Sequence, residues 1–387
     1  MKVRLGDVCR FINGDRGKNY PSQAEISSNG DVPFINAGHI VGGKLGFSEM
    51  NYISEKKYDQ LNSGKVQEND ILYCLRGSLG KKAIVKNISK GVIASSLVII
   101  RPDTKKLNSD YLFFALESPS VQEQMMQANN GSSQPNLSAK SVSNYTFNLP
   151  DIKDQLEVVA KLTKVNKLIA LREEQLAKLD ELVKSRFIEM FGNRSDPKEE
   201  LVDLLIDGAG LSYGIVQPGE DGTGDMGVLR PVNMVDGKIA TTSIKYIDRS
   251  IGDGFKKTEL TGDELLITVR GTTGITALTD ERFKKMNVTR GIAVVRYDRN
   301  KINPVYLNAF LSADESQRYI HEHTRGATLQ QINLSDLRVQ KIIVPPMELQ
   351  ERFAAFAEQT KKSKLTIQQS LDKLETMKKA LMQEYFR

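Results

Sequence analysis

Short apolar runs recur in two blocks, one over residues 1–150 and one over residues 193–346. In the first block VPFINA (32–37), ILYCL (71–75) and GVIASSLVII (91–100) are typical of strands, as are LLITV (265–269) and GIAVVRY (291–297) in the second. Mixed periodicity predicts a helix over 109–128 and another over 303–323. A last strand then ends at proline, in YTFNLP (145–150) and KIIVPP (341–346). The pattern predicts a mixed α/β globule in each block.

A long helix is predicted after each globule, over residues 151–192 and 347–387. The first has no Gly or Pro from Asp154 to about Phe191. Apolar side chains in both helices are spaced by three, four and seven residues, the pattern of a coiled-coil seam. The predicted seam consists of Val165, Ile169, Leu176, Leu179, Val183 and Met190 in the first helix and Ile367, Leu371, Leu374, Leu381 and Tyr385 in the second.

The pairing of the two helices follows from their length and from the segment between them. At 1.5 Å per residue each helix is roughly 55 Å long, which is unusual in a globular domain. The linker GNRSDPKEE (192–200) is short, so the second helix must return antiparallel to pair with the first. The alternative is that each helix packs along its own globule.

The two blocks are copies of one unit. NDILYCLRGSLG (69–80) matches DELLITVRGTTG (263–274), and LPDIKDQLEVVAKL (149–162) matches VPPMELQERFAAFA (344–357). The last match, LDELVKSRFIEMFG with LETMKKALMQEYFR, begins at Leu179 and Leu374, which are 195 residues apart. A duplication explains these matches best. The fold class predicted is therefore α/β (mixed α+β), with two tandem domains separated by a long antiparallel two-helix coiled coil of approximate two-fold symmetry.

Composition narrows the class of protein only slightly. The 387 residues are 40% hydrophobic and 26% charged, as in soluble globular proteins, and the formal net charge is +6. Residues 1–150 carry 18 basic and 13 acidic side chains, whereas residues 193–348 carry 20 and 22. To bind an acidic partner, the second block would thus need a local basic patch on its own surface. The charged start MKVRLGDVCR and the short apolar runs lead us to expect a cytoplasmic protein.

The sequence contains no convincing catalytic constellation. GHIVGGKL (38–45) has the spacing of a phosphate loop but ends in Leu45 where magnesium binding needs Ser or Thr. The three histidines, His39, His321 and His323, do not stand at metal-ligand spacing with Cys, Asp or Glu. Cys9 and Cys74 are interpreted as small buried thiols. We therefore expect no metal, no cofactor and no enzymatic activity of the chain itself.

The repeated basic-glycine loops are the strongest candidate site. Arg76 and Arg270 each follow a predicted strand and precede Gly77 and Gly271. A guanidinium there can bind a phosphate or form a fork to guanine in the major groove. The nearby hydroxyls of Ser78, Thr272 and Thr273 suit phosphate or base edges. The alternative is that each arginine pairs with a carboxylate of its own domain.

Weaker candidates for DNA contact surround these loops. They share a basic or amide side chain in a polar segment: Arg16, Lys18 and Asn19 in NGDRGKNYPS, Lys81 and Lys82, Arg290 and Arg325, and Gln134 and Gln330 in GSSQPN and RGATLQQ. Glutamine can bind adenine through N6 and N7. The alternative for Arg16, Lys18 and Asn19 is that they lie in a solvated loop without a ligand.

Taken together, these segments resemble the DNA-specificity subunits of type I restriction–modification systems. A target-recognition domain of that family is resembled by RLGDVCRFINGDRGKNYPS, VPFINAGHI and NDILYCLRGSLGKKAIV. In the second copy, the corresponding motifs are LLITVRGTTG and VPPMELQERF. The resemblance covers nearly the whole chain. It departs from the pattern where the second copy lacks a counterpart of INGDRGKNYP.

The resemblance implies a function and a set of partners. Residues 1–150 and 193–346 would each bind one half of a split site in double-stranded DNA, and the helices 151–192 and 347–387 would set the spacing. Two methyltransferase subunits would dock near Leu168, Leu171, Leu182 and Met377, and restriction/translocase subunits would join them. The alternative for some of these four residues is that they widen the coiled-coil contact. S-adenosylmethionine, ATP and magnesium would bind to those partners. The alternative from another class is a structural adaptor with no DNA binding.

Overall fold

The computed structural model of the chain describes residues 1–129, 135–208, 210–222, 224–327 and 329–386. In chain order the first copy comprises β1 (Lys2–Arg4), α1 (Leu5–Val8), β2 (Cys9–Asn13), β3 (Val32–Ile35), β4 (Ile40–Val41), β5 (Lys44–Leu45), β6 (Tyr52–Ile53), α2 (Glu55–Gln60), β7 (Ile71–Cys74), β8 (Lys82–Ile84), β9 (Val92–Ile93), β10 (Leu97–Pro102), α3 (Ser109–Ala115), α4 (Pro119–Ala128), α5 (Ala139–Ser143), β11 (Thr146–Asn148) and the long helix α6 (Ile152–Phe191). Short 3-10 helices lie at Gln23–Glu25 and Ala37–His39.

In the described part of the chain, the second copy repeats the order of the eleven strands, with 3-10 helices in the places of α1 and α2. It comprises β12 (Lys198–Glu200), β13 (Ser212–Tyr213), β14 (Met226–Leu229), β15 (Met234–Val235), β16 (Lys238–Ile239), β17 (Lys245–Ile247), β18 (Leu265–Thr268), β19 (Thr276–Leu278), β20 (Asn287–Val288), β21 (Ile292–Val295), α7 (Pro304–Ser312), α8 (Asp314–His323), α9 (Leu334–Arg338), β22 (Lys341–Ile343) and the long helix α10 (Met347–Tyr385). Its 3-10 helices lie at Leu201–Leu204, Pro231–Asn233, Arg249–Thr258 and Glu281–Phe283.

The two globules have the same sheet topology. The sheet β2-β10-β7-β8 of the first corresponds to β13-β21-β18-β19 of the second, and β6-β3-β9 corresponds to β17-β14-β20. In both three-stranded sheets the central strand is antiparallel to one neighbour and parallel to the other. The hairpins β4-β5 and β15-β16 and the pairs β1-β11 and β12-β22 also correspond. This agreement confirms the duplication and the mixed α/β fold class inferred from the sequence.

The most apolar runs form the inner strands of the four-stranded sheets. Every side chain of β7 and of β18 is buried. A buried carboxylate next to each strand is paired with an arginine: Asp70 with Arg101 of β10 at 2.7 Å, and Glu264 with Arg296, directly after β21, at 3.7 Å. Such pairs satisfy charges that would otherwise be costly to bury.

The helix predicted over 109–128 is interrupted in the structure, and so is its counterpart over 303–323. α3 ends at Ala115 and α4 begins at Pro119, after Ser118 in an extended conformation. Proline disfavours the helical conformation of the residue before it, which explains this break. In the second copy Ala313 is extended (φ −74°, ψ 153°) between α7 and α8.

Matching glutamines fasten the start of each long helix to its globule. The Gln155 side-chain oxygen accepts a hydrogen bond from the backbone N–H of Asn108 at 2.8 Å. The Gln350 oxygen accepts one from Asn303, also at 2.8 Å. Both glutamines are fully buried, so these bonds are protected from water. Each long helix therefore leaves its globule from a fixed position.

The chain divides into two compact units, and each contains parts of both long helices. One unit comprises residues 1–173 and 369–387, and the other comprises residues 174–368. In the second unit Lys364 is paired with Asp180, and the Phe356 ring lies 5.8 Å from the Arg186 guanidinium, so α10 runs antiparallel to α6 there. In the first unit Lys161 Nζ donates a hydrogen bond to Tyr385 Oη at 3.0 Å. The helices pair with each other, which confirms the predicted fold class.

The predicted seam residues lie on the protected faces of these helices. Val165 and Leu371 are buried, and the others are half-buried: Ile169, Leu176, Leu179, Val183, Met190, Ile367, Leu374, Leu381 and Tyr385. Polar residues also occupy this face, among them Arg172, Lys364 and Lys378. Within the described residues, no helix is long and apolar enough to cross a membrane.

An aromatic residue at the end of each long helix is buried in one unit. Phe386, which follows α10, lies 5.0 Å from the ring of Tyr111 in the first unit. Phe191, the last residue of α6, lies 4.8 Å from Tyr306 in the second. Tyr111 and Tyr306 are equivalent residues of the two copies, since each donates its hydroxyl to the carbonyl that ends the last strand of its globule. Each globule thus packs on the end of the helix that belongs to the other copy.

Candidate nucleic-acid interface

The first basic-glycine loop follows β7 and leaves the sheet at Arg76. Gly77 and Gly80 have φ angles of +76° and +74°, which favour glycine, so both are required by the turn. Arg76, Gly77 and Ser78 are exposed. The loop therefore presents a guanidinium and a hydroxyl to the surroundings.

A second segment, distant in sequence, is paired with this loop. Gly77 N–H donates to the Pro135 carbonyl at 3.2 Å, and Leu137 N–H donates to Leu75 O at 2.8 Å. On the other side Leu75 N–H donates to Ser96 O at 2.9 Å. The segment after residue 134 and the turn between β9 and β10 thus flank the loop. Gln134 itself lies outside the described residues.

The second loop has the same surroundings. Gly271 N–H donates to Gln330 O at 2.8 Å, and Ile332 N–H donates to Val269 O at 3.0 Å. Val269 N–H donates in turn to Gly291 O at 2.8 Å, which places Arg290 beside this loop. Gly271 and Gly274 also have positive φ angles, +85° and +88°. The backbone of both arginine–glycine loops is therefore held by equivalent hydrogen bonds.

Neither loop arginine is paired within its own domain among the described residues. Arg76 is exposed and Arg270 is half-buried, and no ion pair or side-chain hydrogen bond involves either guanidinium there. The alternative that these arginines serve internal salt bridges thus has no support in the described part of the chain. Both guanidinium groups are available for an anionic or acceptor ligand.

Lys82 is a correction to the predicted site. Its side chain is only 7% exposed, its ammonium lies 3.2 Å from Glu117, and it sits 4.5 Å from the centre of the Phe113 ring. Burial lowers the pKa of Lys82. This lysine is part of the packing between β8 and the helices, so it does not belong to the exposed surface of the loop. Lys81 is half-buried and donates to Ala37 O at 2.8 Å.

The polar loop after β2 lies near the first arginine–glycine loop. The Asp15 carboxylate accepts hydrogen bonds from the backbone N–H groups of Arg16 at 2.7 Å and Asn62 at 2.8 Å, which orders the start of the loop. Further on, Tyr20 Oη lies 3.5 Å from the N–H of Ser95, next to the residue that bonds Leu75. The side chains of Arg16 and Lys18 are exposed, and Asn19 is half-buried.

A loop at the same place in the second globule was missed in the sequence. β13 pairs with β21 as β2 pairs with β10, so Gly214 corresponds to Gly14. A Cβ on Gly14 would lie 2.8 Å from Ala94 O, and one on Gly214 would lie 1.9 Å from Val288 O. Both positions thus need glycine for close packing against the same turn. The expectation that the second copy lacks this loop is wrong, because a loop with a different sequence begins at Gly214, directly after β13.

The remaining predicted residues of the second globule surround its arginine–glycine loop. Thr272 is exposed, and Thr273 Oγ1 lies 3.1 Å from Thr324 Oγ1, at the end of α8. Arg325 is exposed, with a guanidinium nitrogen 3.8 Å from Asp336, and its backbone pairs with that of Gln331. Arg290 and Gln330 are also exposed. The structure thus gathers these predicted residues near one loop.

The exposed apolar residues of the long helices include Leu168, Leu171, Leu182 and Met377, together with Leu156, Ile188 and Leu365. Within the described residues, no group of three or more His, Cys, Asp or Glu side chains is arranged to hold a metal ion.

The fold and the two loops define a duplicated α/β protein whose halves carry arginines at equivalent loop positions and share two long helices. The family model described as "Type I restriction modification DNA specificity domain" matches residues 1–181 and 230–376. The chain therefore belongs to the type I restriction–modification DNA specificity family, as its sequence motifs suggested.

Curated relatives are similar over parts of their length. The EcoBI specificity subunit of a type I restriction enzyme from Escherichia coli is 25% identical over 149 residues, which cover 38% of this chain and 31% of that subunit. The HindI specificity subunit from Haemophilus influenzae is 23% identical over 211 residues, 54% of this chain and 45% of that subunit. These two matches each span less than half of the relative. A putative MjaX specificity subunit from Methanocaldococcus jannaschii is 21% identical over 345 residues, with 83% and 78% covered.

Two solved structures share the fold. One comes from work on complex assembly and conformational transition of the type I restriction–modification system, with a TM-score of 0.62, 19% identity and coverage of 100% of this chain and 97% of that one. The other is the type I restriction–modification S subunit from M. genitalium, with a TM-score of 0.58, 13% identity and coverage of 100% and 96%.

Proposed function

We propose that this chain is the non-catalytic DNA-specificity subunit of a type I restriction–modification enzyme, acting in the cytoplasm. Each globule binds one half of a two-part site in double-stranded DNA. The observation that carries the proposal is that two globules of identical topology present unpaired arginines, Arg76 and Arg270, from equivalent exposed loops. Arginine at such a position suits phosphate oxygens or guanine in the major groove.

Differences between the globules support two unlike half-sites. The loop after β2 carries the exposed cations Arg16 and Lys18, whereas the corresponding loop of the second globule is acidic, with Asp221 and Asp225. Asp225 lies 3.3 Å from Arg249 within that globule. Surfaces this different favour different base sequences, so the bound site is asymmetric.

The decisive experiment is methylome sequencing of cells that carry this subunit with its methyltransferase. We expect methylated adenines in one split, non-palindromic motif. A gel shift of the assembled complex tests the adaptor alternative, since an adaptor adds no sequence preference to its partner. Preferential binding of the complex to the split motif would exclude an adaptor. A complex that binds all DNA sequences equally would contradict the proposed function.

The paired long helices are proposed to set the unread gap between the half-sites. Inserting one heptad into both α6 and α10 adds about 10 Å, which is close to three base pairs of B-DNA. The methylated motif should then gain about three unspecified positions while both half-sites stay unchanged. An unchanged gap in a folded variant would show that the helices do not determine the spacing.

The exposed apolar residues of the helices are proposed to dock two methyltransferase subunits, to which restriction/translocase subunits are added. S-adenosylmethionine, ATP and magnesium would then bind to those partner subunits and not to this chain. Leu171→Glu and Leu182→Glu should reduce co-purification of the methyltransferase, because a charge replaces an apolar contact. Lys184→Glu, an exposed change about half a turn away from Leu182 around the same helix, is the matched control. Retention of the partner by both leucine variants would place the docking surface elsewhere.

A further inference from the structure

The duplication separates two kinds of residue on the proposed DNA surface. The sugar–phosphate backbone is chemically the same at both half-sites, whereas the base edges differ. Residues that are the same at equivalent positions of both globules are therefore suited to contact the DNA backbone. Residues that differ at equivalent positions are suited to contact bases. This reasoning rests on the proposed function and assigns roles within it.

The arginine–glycine loops are the same in both globules. Arg76 and Arg270 are held in the same backbone frame, since Leu75 and Val269 donate to the equivalent carbonyls of Ser96 and Gly291 at 2.9 and 2.8 Å. The following glycines have matching positive φ angles, and a Cβ on either would meet no atom within 4 Å. The space above both glycines is open to a ligand that approaches the backbone.

The loops also offer further donors for an anion. Among the described residues, the backbone N–H groups of Ser78 and Thr272 have no hydrogen-bond partner. These residues occupy the same position of their loops, directly after Gly77 and Gly271. A guanidinium next to a free N–H and a hydroxyl matches a phosphate oxygen group, which accepts several hydrogen bonds at once.

The loops after β2 and β13 belong to the part that differs. They begin at equivalent close-packed glycines, Gly14 and Gly214, and then diverge. Two residues further on, the first globule exposes Arg16, whereas the second exposes Val216 and then Gln217. In the turn that flanks the arginine–glycine loop, Ser95 of the first globule is replaced by Arg290 of the second. The chemistry of these positions is thus unlike although their place in the fold is the same.

We propose that Arg76 and Arg270 bind DNA phosphates at both half-sites alike, and that base identity is determined by Arg16 in the first globule and by Gln217 in the second. An arginine such as Arg16 can fork onto guanine O6 and N7, and a glutamine such as Gln217 can bind adenine N6 and N7. The first half-site then contains a guanine that depends on Arg16, and the second an adenine that depends on Gln217.

Conservative variants of the assembled complex separate the two roles. Lysine keeps the charge of arginine but not its fork, so Arg76→Lys and Arg270→Lys should keep the methylated motif and near-normal binding. Arg76→Ala should weaken binding to every DNA sequence and lower the slope of log K against log salt by about one. Arg282→Ala, which removes a cation paired with Asp280 at 2.7 Å, is the charge control and should leave the slope unchanged.

Variants of the differing residues should change the motif instead. Arg16→Lys should relax one position of one half-site, by about 5- to 150-fold in discrimination, and Gln217→Ala should do the same in the other half-site. Circular dichroism checks that each variant is folded.

The outcomes distinguish this inference from the proposed function. A motif altered by Arg76→Lys, or one unaltered by both Arg16→Lys and Gln217→Ala, would overturn the division of roles while the protein remains a sequence-specific DNA binder. Absence of sequence-specific binding by the unaltered complex would overturn the proposed function and this inference with it.

Discussion

Replacing Phe191 by Ala should destabilise the protein more than replacing Phe386 by Ala, although both residues end a long helix in equivalent ways. The two side chains are almost equally buried, with 4% and 3% of their surface exposed. Their aromatic neighbours differ. Phe386 packs on Tyr111, whereas Phe191 belongs to a cluster with Phe187, Tyr306 and Phe353.

The magnitude follows from burial and from the number of ring contacts. A buried Phe→Ala change costs about 3–5 kcal/mol, through lost transfer free energy and the cavity that remains. Aromatic pairs add about 0.5–1.5 kcal/mol each beyond their buried area. Phe191 has ring neighbours at 5.2, 4.8 and 5.8 Å, against one at 5.0 Å for Phe386. The two additional pairs predict a difference of about 1–3 kcal/mol between the variants.

Urea titration followed by far-UV circular dichroism measures the difference, and hydrogen exchange locates it. Phe191→Ala should expose amides of α7, next to Tyr306, whereas Phe386→Ala should expose those of α3, next to Tyr111. Phe47→Ala is the matched control, since Phe47 is 46% exposed and its loss should change the free energy of unfolding by less than about 0.5 kcal/mol. Equal losses in the two variants, or a larger loss in Phe386→Ala, would refute the reasoning from ring packing.

Four further predictions concern ionisable side chains. Glu117→Ala should lower the free energy of unfolding by about 1–3 kcal/mol, because buried Lys82 loses its partner, whereas Lys82→Met should be close to neutral in the same denaturation assay. Since burial lowers the pKa of Lys82, the unfolded chain binds its proton more tightly, and stability should rise as pH approaches the ordinary lysine value. Cys74 is fully buried and burial raises its pKa, while burial raises the pKa of the half-buried Cys9 to about 12, so a thiol reagent at pH 8 should label Cys74 only after denaturation and Cys9 more slowly than a free thiol; rapid labelling of the folded chain would contradict this. Backbone and hydroxyl hydrogen bonds from Ser22, with Lys57 nearby, lower the pKa of Glu25 from 4.5 to about 2. The contribution of the Glu25 carboxylate to folding stability is therefore fully present above pH 4.5 and is lost as the pH falls toward 2. In the same denaturation assay, Glu25→Gln should be less stable than the wild type above pH 4.5 and equally stable near pH 2.

Much of the fold was predictable because duplication repeats every local signal. The inner strands β7 and β18 are continuous apolar runs, and the long helices have an apolar seam without Gly or Pro. Breaks within elements were less visible. The helix over 109–128 was predicted as continuous, although Pro119 forces Ser118 out of the helical conformation.

The candidate site was predictable only in part, because its residues come from separate segments. The loop that begins at Gly214 was missed since the spacing of the repeat changes there from 195 to 200 residues, as the strand pairing of Tyr213 and Asn13 indicates. The glycines at Gly14 and Gly214 were the available signal. Lys82 was misassigned because a basic residue next to a loop has the same sequence pattern whether its ammonium is exposed or buried against Glu117.

The sequence by itself determined the duplication, the α/β class, the seam and the two arginine–glycine loops, because each depends on residues close together along the chain. Only the tertiary structure decided which segments flank those loops, which lysine is buried, and which globule holds Phe191 and Phe386. These depend on contacts between segments tens to hundreds of residues apart, as between Lys82 and Glu117 or Tyr111 and Phe386. Local periodicity records that a side chain is buried, but it carries no information about the distant segment that buries it.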